Sequence, residues 1–80
     1  MSSSRVSLWL EHAWTHERRE VEVLNAGPHR RLFVRWEIAG VYTLDLRRNV
    51  LLRTPQSRTP LLWRAADVDE AMRCWRHLAG

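Results

Sequence analysis

The sequence predicts an α+β domain, an antiparallel β-meander of about five strands with one C-terminal α-helix packed on one face. Three observations lead there. Between residues 31 and 53, apolar rows alternate with polar positions at a period of two, the mark of half-buried strands. The stretches between those rows close on Gly40 and Asn49, residue types that tolerate the left-handed backbone of short hairpins. From Asp67 onward the apolar spacing lengthens to that of a helix. Strands come first and the helix last, the order of an α+β chain.

The elements follow in turn. Residues 1–4 are a short polar tail. Val6, Leu8 and Leu10 alternate with Ser7, Trp9 and Glu11 as a first strand. Thr15, His16 and Glu17 make a turn, and Val21 and Val23 alternate with Glu20 and Glu22 until Asn25-Ala26-Gly27-Pro28. A helix competes for residues 7–24, because Leu10, Trp14, Val21 and Leu24 also fall near one helical face that Gly27 and Pro28 would end. The β-branched valines favour the two strands.

In the third strand Leu32, Val34 and Trp36 share one face, while Phe33, Arg35 and Glu37 share the other. Tyr42, Leu44 and Leu46 form the matching row of the fourth. A three-residue loop of Ile38, Ala39 and Gly40 would pair Trp36 with Tyr42, Val34 with Leu44 and Leu32 with Leu46, with Gly40 left-handed. A second such loop, Arg47-Arg48-Asn49, would set Leu46 opposite Val50 and Leu44 opposite Leu52, with Asn49 left-handed. Both loops turn Leu32, Val34 and Trp36 toward the helix and leave Phe33 and Arg35 facing water.

Residues 54–60 carry two prolines and no apolar residue, and so form a loop. Leu61, Leu62 and Trp63 are a last short strand or an anchoring segment. The helix spans 67–79: Asp67 is its N-cap and Glu70 stands three residues on, a capping box. Val68, Ala71, Met72, Trp75, Leu78 and Ala79 form its apolar stripe, Met72 and Trp75 cover the inward sheet face, and Gly80 ends it. Arg76 and His77 lie in the last turn, where positive charge suits the helix dipole.

Residues 1–80 are one domain of modest core, because so short a chain buries only about 60% of the surface its unfolded form exposes. All thirteen basic residues are arginine, and five tryptophans lie among them. The formal charge is +4 and the sequence pI about 11.0, a balance that favours acidic partners. An arginine-for-lysine codon bias would produce the same composition. The single cysteine, Cys74, rules out an internal disulfide and fits a reducing compartment. No apolar leader and no run long enough to span a bilayer is present, so a cytoplasmic location is expected.

Chemistry-bearing patterns are sparse. His12 and His16 are four apart, but the stretch after His16 reads Glu-Arg-Arg-Glu, so a zinc-protease helix lacks its second histidine, and no metal is expected. No nucleophile elbow and no phosphate-cradling glycine loop occurs, and Cys74 sits beside the helix stripe as a small hydrophobe. No enzyme activity and no cofactor are expected. What remains is the arginine set: Arg30 and Arg31 before the third strand, Arg35 beside Phe33 on its outer face, Arg47 and Arg48 in a loop, and Arg53 near the proline loop. Guanidinium groups with an aromatic neighbour can grip phosphates and stack bases, or anchor a protein interface. Trp9, outward on the first strand, joins these as a candidate contact.

The order of a sheet meander followed by a helix carrying Ala-Asp-Val-Asp-Glu-Ala resembles, over residues 30–79, the arm-type DNA-binding domains of phage integrases. That resemblance implies a three-stranded sheet set into the major groove, although the two N-terminal strands and the proline loop depart from it. The whole chain, short, α+β and free of enzymatic motifs, also resembles small phage-encoded anti-CRISPR proteins. This second resemblance implies steric action: docking on a nucleoprotein effector complex, for instance a CRISPR effector subunit, and blocking its target DNA. The favoured expectation is such an inhibitor, meeting a protein or ribonucleoprotein surface through Phe33, Arg35, Arg47 and Arg48. Direct DNA or RNA binding through the same face is the alternative.

Overall fold

The computed structural model describes residues 6–38 and 40–80, so the 1–4 tail and Ala39 lie outside the described residues. In chain order the elements are β1 (Val6–His12), β2 (Arg18–Gly27), β3 (Arg31–Trp36), β4 (Gly40–Asp45), β5 (Val50–Leu52), β6 (Trp63–Ala65) and α1 (Val68–Ala79). Strands β1 to β5 pair antiparallel in sequence, and β6 returns to pair antiparallel with β1, giving the order β5-β4-β3-β2-β1-β6. The α+β meander with a C-terminal helix is therefore present, with six strands where about five were expected. The sixth is the segment through Trp63.

The two outer strands of this sheet approach each other. Leu61 N–H donates to the Leu51 carbonyl at 2.8 Å in an antiparallel bridge, and Ala65 N–H donates to Asn49 Oδ1 at 3.0 Å. The sheet thus curls into a nearly closed barrel, which leaves little unpaired edge. Its interior holds Leu8, Leu10, Val21, Val23, Leu32, Val34, Trp36, Leu44, Leu46, Leu51 and Ala65, with Ala71 of α1 added from outside the sheet. Burial of a leucine side chain is worth roughly 1.5–3 kcal/mol, so these rows dominate the fold's stability.

Residues 7–24 form strands, not a helix. Val6 faces Val23 and Leu8 faces Val21, so the two valine-rich rows meet inside the barrel. In β2 the register then slips: Val23 pairs with Val34, but Asn25 pairs with Phe33. The extra residue of this β-bulge leaves Leu24 and Asn25 both exposed and returns Ala26 to the core side, opposite Leu32. On β3, Leu32, Val34 and Trp36 are inside and Arg35 is outside, the orientation the alternation requires.

Three details of register differ from expectation. In β3–β4, Trp36 pairs with Gly40, Val34 with Tyr42 and Leu32 with Leu44, two residues from the expected alignment. Glu37, with φ 62°, takes the left-handed turn position, whereas Gly40 has no positive φ. Glycine is needed at 40 for space instead: a Cβ there would lie 2.6 Å from the Trp36 carbonyl and 3.1 Å from the Tyr42 ring. In β4–β5, Leu44 pairs with Leu51 and Thr43 with Leu52, so Leu51 and not Val50 joins the interior row, while Leu52, equally buried, lies with Thr43 outside that cluster. The connection holds four residues, 46–49, because the Asp45 carboxylate caps it by accepting from Arg47 N–H at 3.0 Å. Asn49 is left-handed as expected, with φ 55°.

Helix α1 starts at its Asp67 N-cap, whose carboxylate accepts from Glu70 N–H at 3.2 Å. Ala66 N–H donates to the Trp9 carbonyl at 2.9 Å, which ties the helix start to β1. The buried stripe is shorter than expected. Ala71 is fully buried and Met72, Cys74 and Trp75 flank it, while Val68, Leu78 and Ala79 are exposed. The small Ala71 lets the helix backbone approach the inward-facing rows of β1 and β2, against which Met72, Cys74 and Trp75 also pack.

Candidate functional site

Two turns meet at one end of the barrel. The β2–β3 turn carries Pro28, His29 and Arg30, and the β4–β5 turn carries residues 46–49. Leu46 N–H donates to the Arg30 carbonyl at 3.0 Å, joining them directly. His29 (φ 61°) and Arg30 (φ 57°) are successive left-handed residues. That conformation is disfavoured by roughly 1–2 kcal/mol per non-glycine residue, so neighbouring structure must hold it. The bond from Leu46 is one such restraint. A second comes from α1, where the Trp75 indole N–H donates to the Gly27 carbonyl at 2.9 Å, one residue before the turn.

The side chains of these turns surround a cleft of about 410 Å³ lined by His29, Arg31, Asp45, Arg47 and Arg48. Asp45 is the one carboxylate in that lining, and both of its oxygens are used. Oδ1 accepts from Arg47 N–H, and Oδ2 accepts from Arg48 Nε at 3.2 Å. Asp45 also stands directly across the ladder from Arg31, whose Nε is buried and has no acceptor. With exposed Arg30 beside them, three guanidinium groups, Arg30, Arg31 and Arg47, have no carboxylate partner among the described residues. Such an end attracts anions and offers planar donor forks suited to phosphate oxygens.

Of the residues singled out from sequence, the fold brings Arg30, Arg31, Arg47 and Arg48 together. Phe33 lies on the outer face near them, but it is half-buried and not the exposed platform expected. Its ring covers Gly27, where a Cβ would fall 2.7 Å from Phe33 Cε2. Arg35 is farther along β3 and pairs with Glu22 at 3.3 Å. Trp9 is half exposed on β1, opposite Glu20, and Arg53 follows Leu52 at the far end of β5. None of Arg35, Trp9 and Arg53 lines the cleft. His29 was not singled out, although its place in the β2–β3 turn sets it among the arginines.

Elsewhere, Glu11 is a hub for His16 at 3.1 Å, Arg18 at 3.3 Å and Arg64 at 3.5 Å. The His16 contact first, then Arg18 and Arg64, hold its carboxyl below the usual range against the opposing effect of desolvation. Burial, with the Glu70 charge nearby, pushes the Cys74 thiol up, the opposite of an activated nucleophile. Among the described residues no group of three or more His, Cys, Asp and Glu side chains is placed to hold a metal ion, and no helix is long and apolar enough to cross a membrane. Compared with protein-family models, with curated proteins and with solved structures, the chain matches none.

Proposed function

We propose that the protein is a non-enzymatic nucleic-acid-binding domain that sets the arginine-rich end of its barrel against the phosphate backbone. The observation that carries this reading is the convergence of His29, Arg31, Arg47 and Arg48 around one cleft, from the two turns and the first residue of β3, with Arg30 beside it in the joined β2–β3 turn. The only carboxylate there is committed to holding its own turn. Contacts of this kind fix a protein on a strand without reading its sequence, so binding is expected to be sequence-tolerant and salt-sensitive. The test is titration of labelled random-sequence DNA and RNA at several salt concentrations. Arg47→Gln and Arg30→Gln each reduce the log–log salt slope by about 1, while Arg53→Gln, at the far end of β5, leaves it unchanged. Absence of any complex at low salt, or an equal effect of all three variants, overturns the reading.

A second reading has its own supporting observation. Trp14 (75% exposed), Ile38 (97%) and Leu62 (43%) stand on connections at the opposite end, where a phosphate contact makes no use of them. They suit a chain that docks on a nucleoprotein complex and occludes its nucleic-acid channel, in the manner of a phage inhibitor. That role predicts stoichiometric capture of a ribonucleoprotein that survives salt concentrations sufficient to strip free nucleic acid.

A further inference from the structure

The end of the barrel opposite the arginine turns is aromatic. Trp36 at the end of β3, Tyr42 on β4 and Trp63 on β6 stand together, with Trp36 and Trp63 ring centroids 5.1 Å apart at 64° and Trp36 and Tyr42 6.2 Å apart at 32°. The His12 and Trp63 rings stand nearly perpendicular, with centroids 5.2 Å apart. Beside them lies a cleft of about 370 Å³, whose other walls are Glu37 and the segment Pro60, Leu61 and Leu62. Trp36 is buried in the core and Tyr42 and Trp63 pack against it, but both of these are only half-buried and line the cleft.

The chain itself displays what these rings can hold. Arg19 sets its guanidinium carbon 4.6 Å from the Trp36 ring centroid and 5.2 Å from that of Trp63. No ion pair joins Arg19 to a carboxylate among the described residues, so the indole faces retain this cation without one. Arg19 does not line the cleft. Glu37 does, it is exposed, and it has no ion-pair partner among the described residues. The charges nearest the rings are therefore two, the Arg19 guanidinium over Trp36 and Trp63 and the Glu37 carboxylate on the cleft wall. His12 Nδ1 accepts from the main-chain N–H groups of Trp14 at 3.1 Å and Thr15 at 3.2 Å, a role that requires an unprotonated Nδ1.

We infer that this cleft receives a cationic side chain, an arginine of a protein partner, with its guanidinium over Trp63 and Tyr42 and its charge met by Glu37. A nucleobase fits the cleft less well. The rings meet at 64° and 32° and offer no parallel pair to sandwich a flat ligand, whereas inclined ring faces around a point are how a cation is caged. The site is separate from the arginine end, so the protein has two unlike ends: one for an anionic strand, one for a basic polypeptide.

The experiment titrates the full chain with the blocked tripeptide Gly-Arg-Gly and with its citrulline counterpart, a neutral side chain of nearly the same shape. Binding is followed by the NMR shifts of the Trp36, Tyr42 and Trp63 rings. Saturable shifts of these rings are expected with the arginine peptide, and affinity about threefold to tenfold weaker with citrulline. Glu37→Gln, at an exposed position, weakens arginine binding severalfold while leaving nucleic-acid binding and its salt slope unaltered. Tyr42→Leu weakens it further and leaves the response to citrulline unchanged. Equal affinities for the two peptides, no saturable shift of the three rings, or full binding by Glu37→Gln would each overturn the inference. A loss of nucleic-acid binding in Arg47→Gln bears only on the other end.

Discussion

Asn49 combines two roles that substitution can separate. Its backbone is left-handed (φ 55°), and its side-chain Oδ1 accepts from the Ala65 N–H at 3.0 Å, which helps to join β6 to the β4–β5 turn. Ala65 is only 4% exposed, so water does not readily replace a lost acceptor. Asn49→Gly keeps the backbone conformation and removes the acceptor, and leaving a buried donor unsatisfied costs about 1–3 kcal/mol. Asn49→Ala removes the acceptor and adds left-handed strain of roughly 1–2 kcal/mol, for a total of about 2–5 kcal/mol. Asn49→Asp retains both an acceptor and tolerance of the conformation, and should fall within about 1 kcal/mol of the parent. In a domain of this size each kcal/mol moves the melting midpoint by about 4–8 °C. Urea unfolding followed by tryptophan fluorescence, with slopes unchanged across the series, measures the order Asp, Gly, Ala from most to least stable. If the glycine variant is as stable as the aspartate variant, the bond to Ala65 contributes nothing and the reasoning fails.

Three further outcomes follow from other contacts. Gly40→Ala forces a Cβ to within 2.6 Å of the Trp36 carbonyl, a main-chain atom that cannot swing aside, and should destabilise the domain by about 1–3 kcal/mol in the same urea assay. Glu11 has a depressed folded pKa, so its stabilisation is fully present above the ordinary value of 4.5 and is lost as pH falls through the folded value. The difference in melting midpoint between the parent and Glu11→Gln should therefore be widest above about pH 5 and close on further acidification; a gap that widens in acid contradicts the assignment. Cys74, its thiol raised by burial, should be alkylated by iodoacetamide at pH 8 at least about tenfold more slowly than a free thiol, with the difference abolished in denaturant.

Faces were legible in the sequence where apolar and polar residues alternate cleanly, and registers were not. Leu32, Val34 and Trp36 had to share a side, but sliding β4 by two residues keeps every side chain on its face, so alternation alone cannot choose the pairing. The choice fell to the turn, where Glu37 and not Gly40 accepted the left-handed conformation. For β5, three successive apolar residues, Val50, Leu51 and Leu52, carry no alternation, and the capping of the turn by Asp45 decided which one pointed inward. The bulge at Leu24 leaves no trace in the residue pattern either. The arginine end was half visible: Arg30, Arg31, Arg47 and Arg48 were evident as basic residues near turns. Their convergence depends on both turns lying at one end of the barrel, and the pairing of Arg35 with Glu22 removes a residue that the strand pattern had placed beside them. Trp36 and Tyr42 were assigned to the interior row, so their meeting with Trp63 and Arg19 across four strands had no local signal.

The join between β5 and the chain leading into β6 has a dynamic consequence. Every other neighbouring pair is stitched by a run of ladder partners, while this one depends on the Leu61–Leu51 bond and the Asn49 amide. It is the weakest rung around the circumference, and sub-global opening should begin there. Amide deuterium exchange would then show Leu61 and Ala65 losing protection ahead of Val34 and Leu44, and a protease would find the 53–60 stretch first. The cylinder unzips along one line while the remaining strands stay paired.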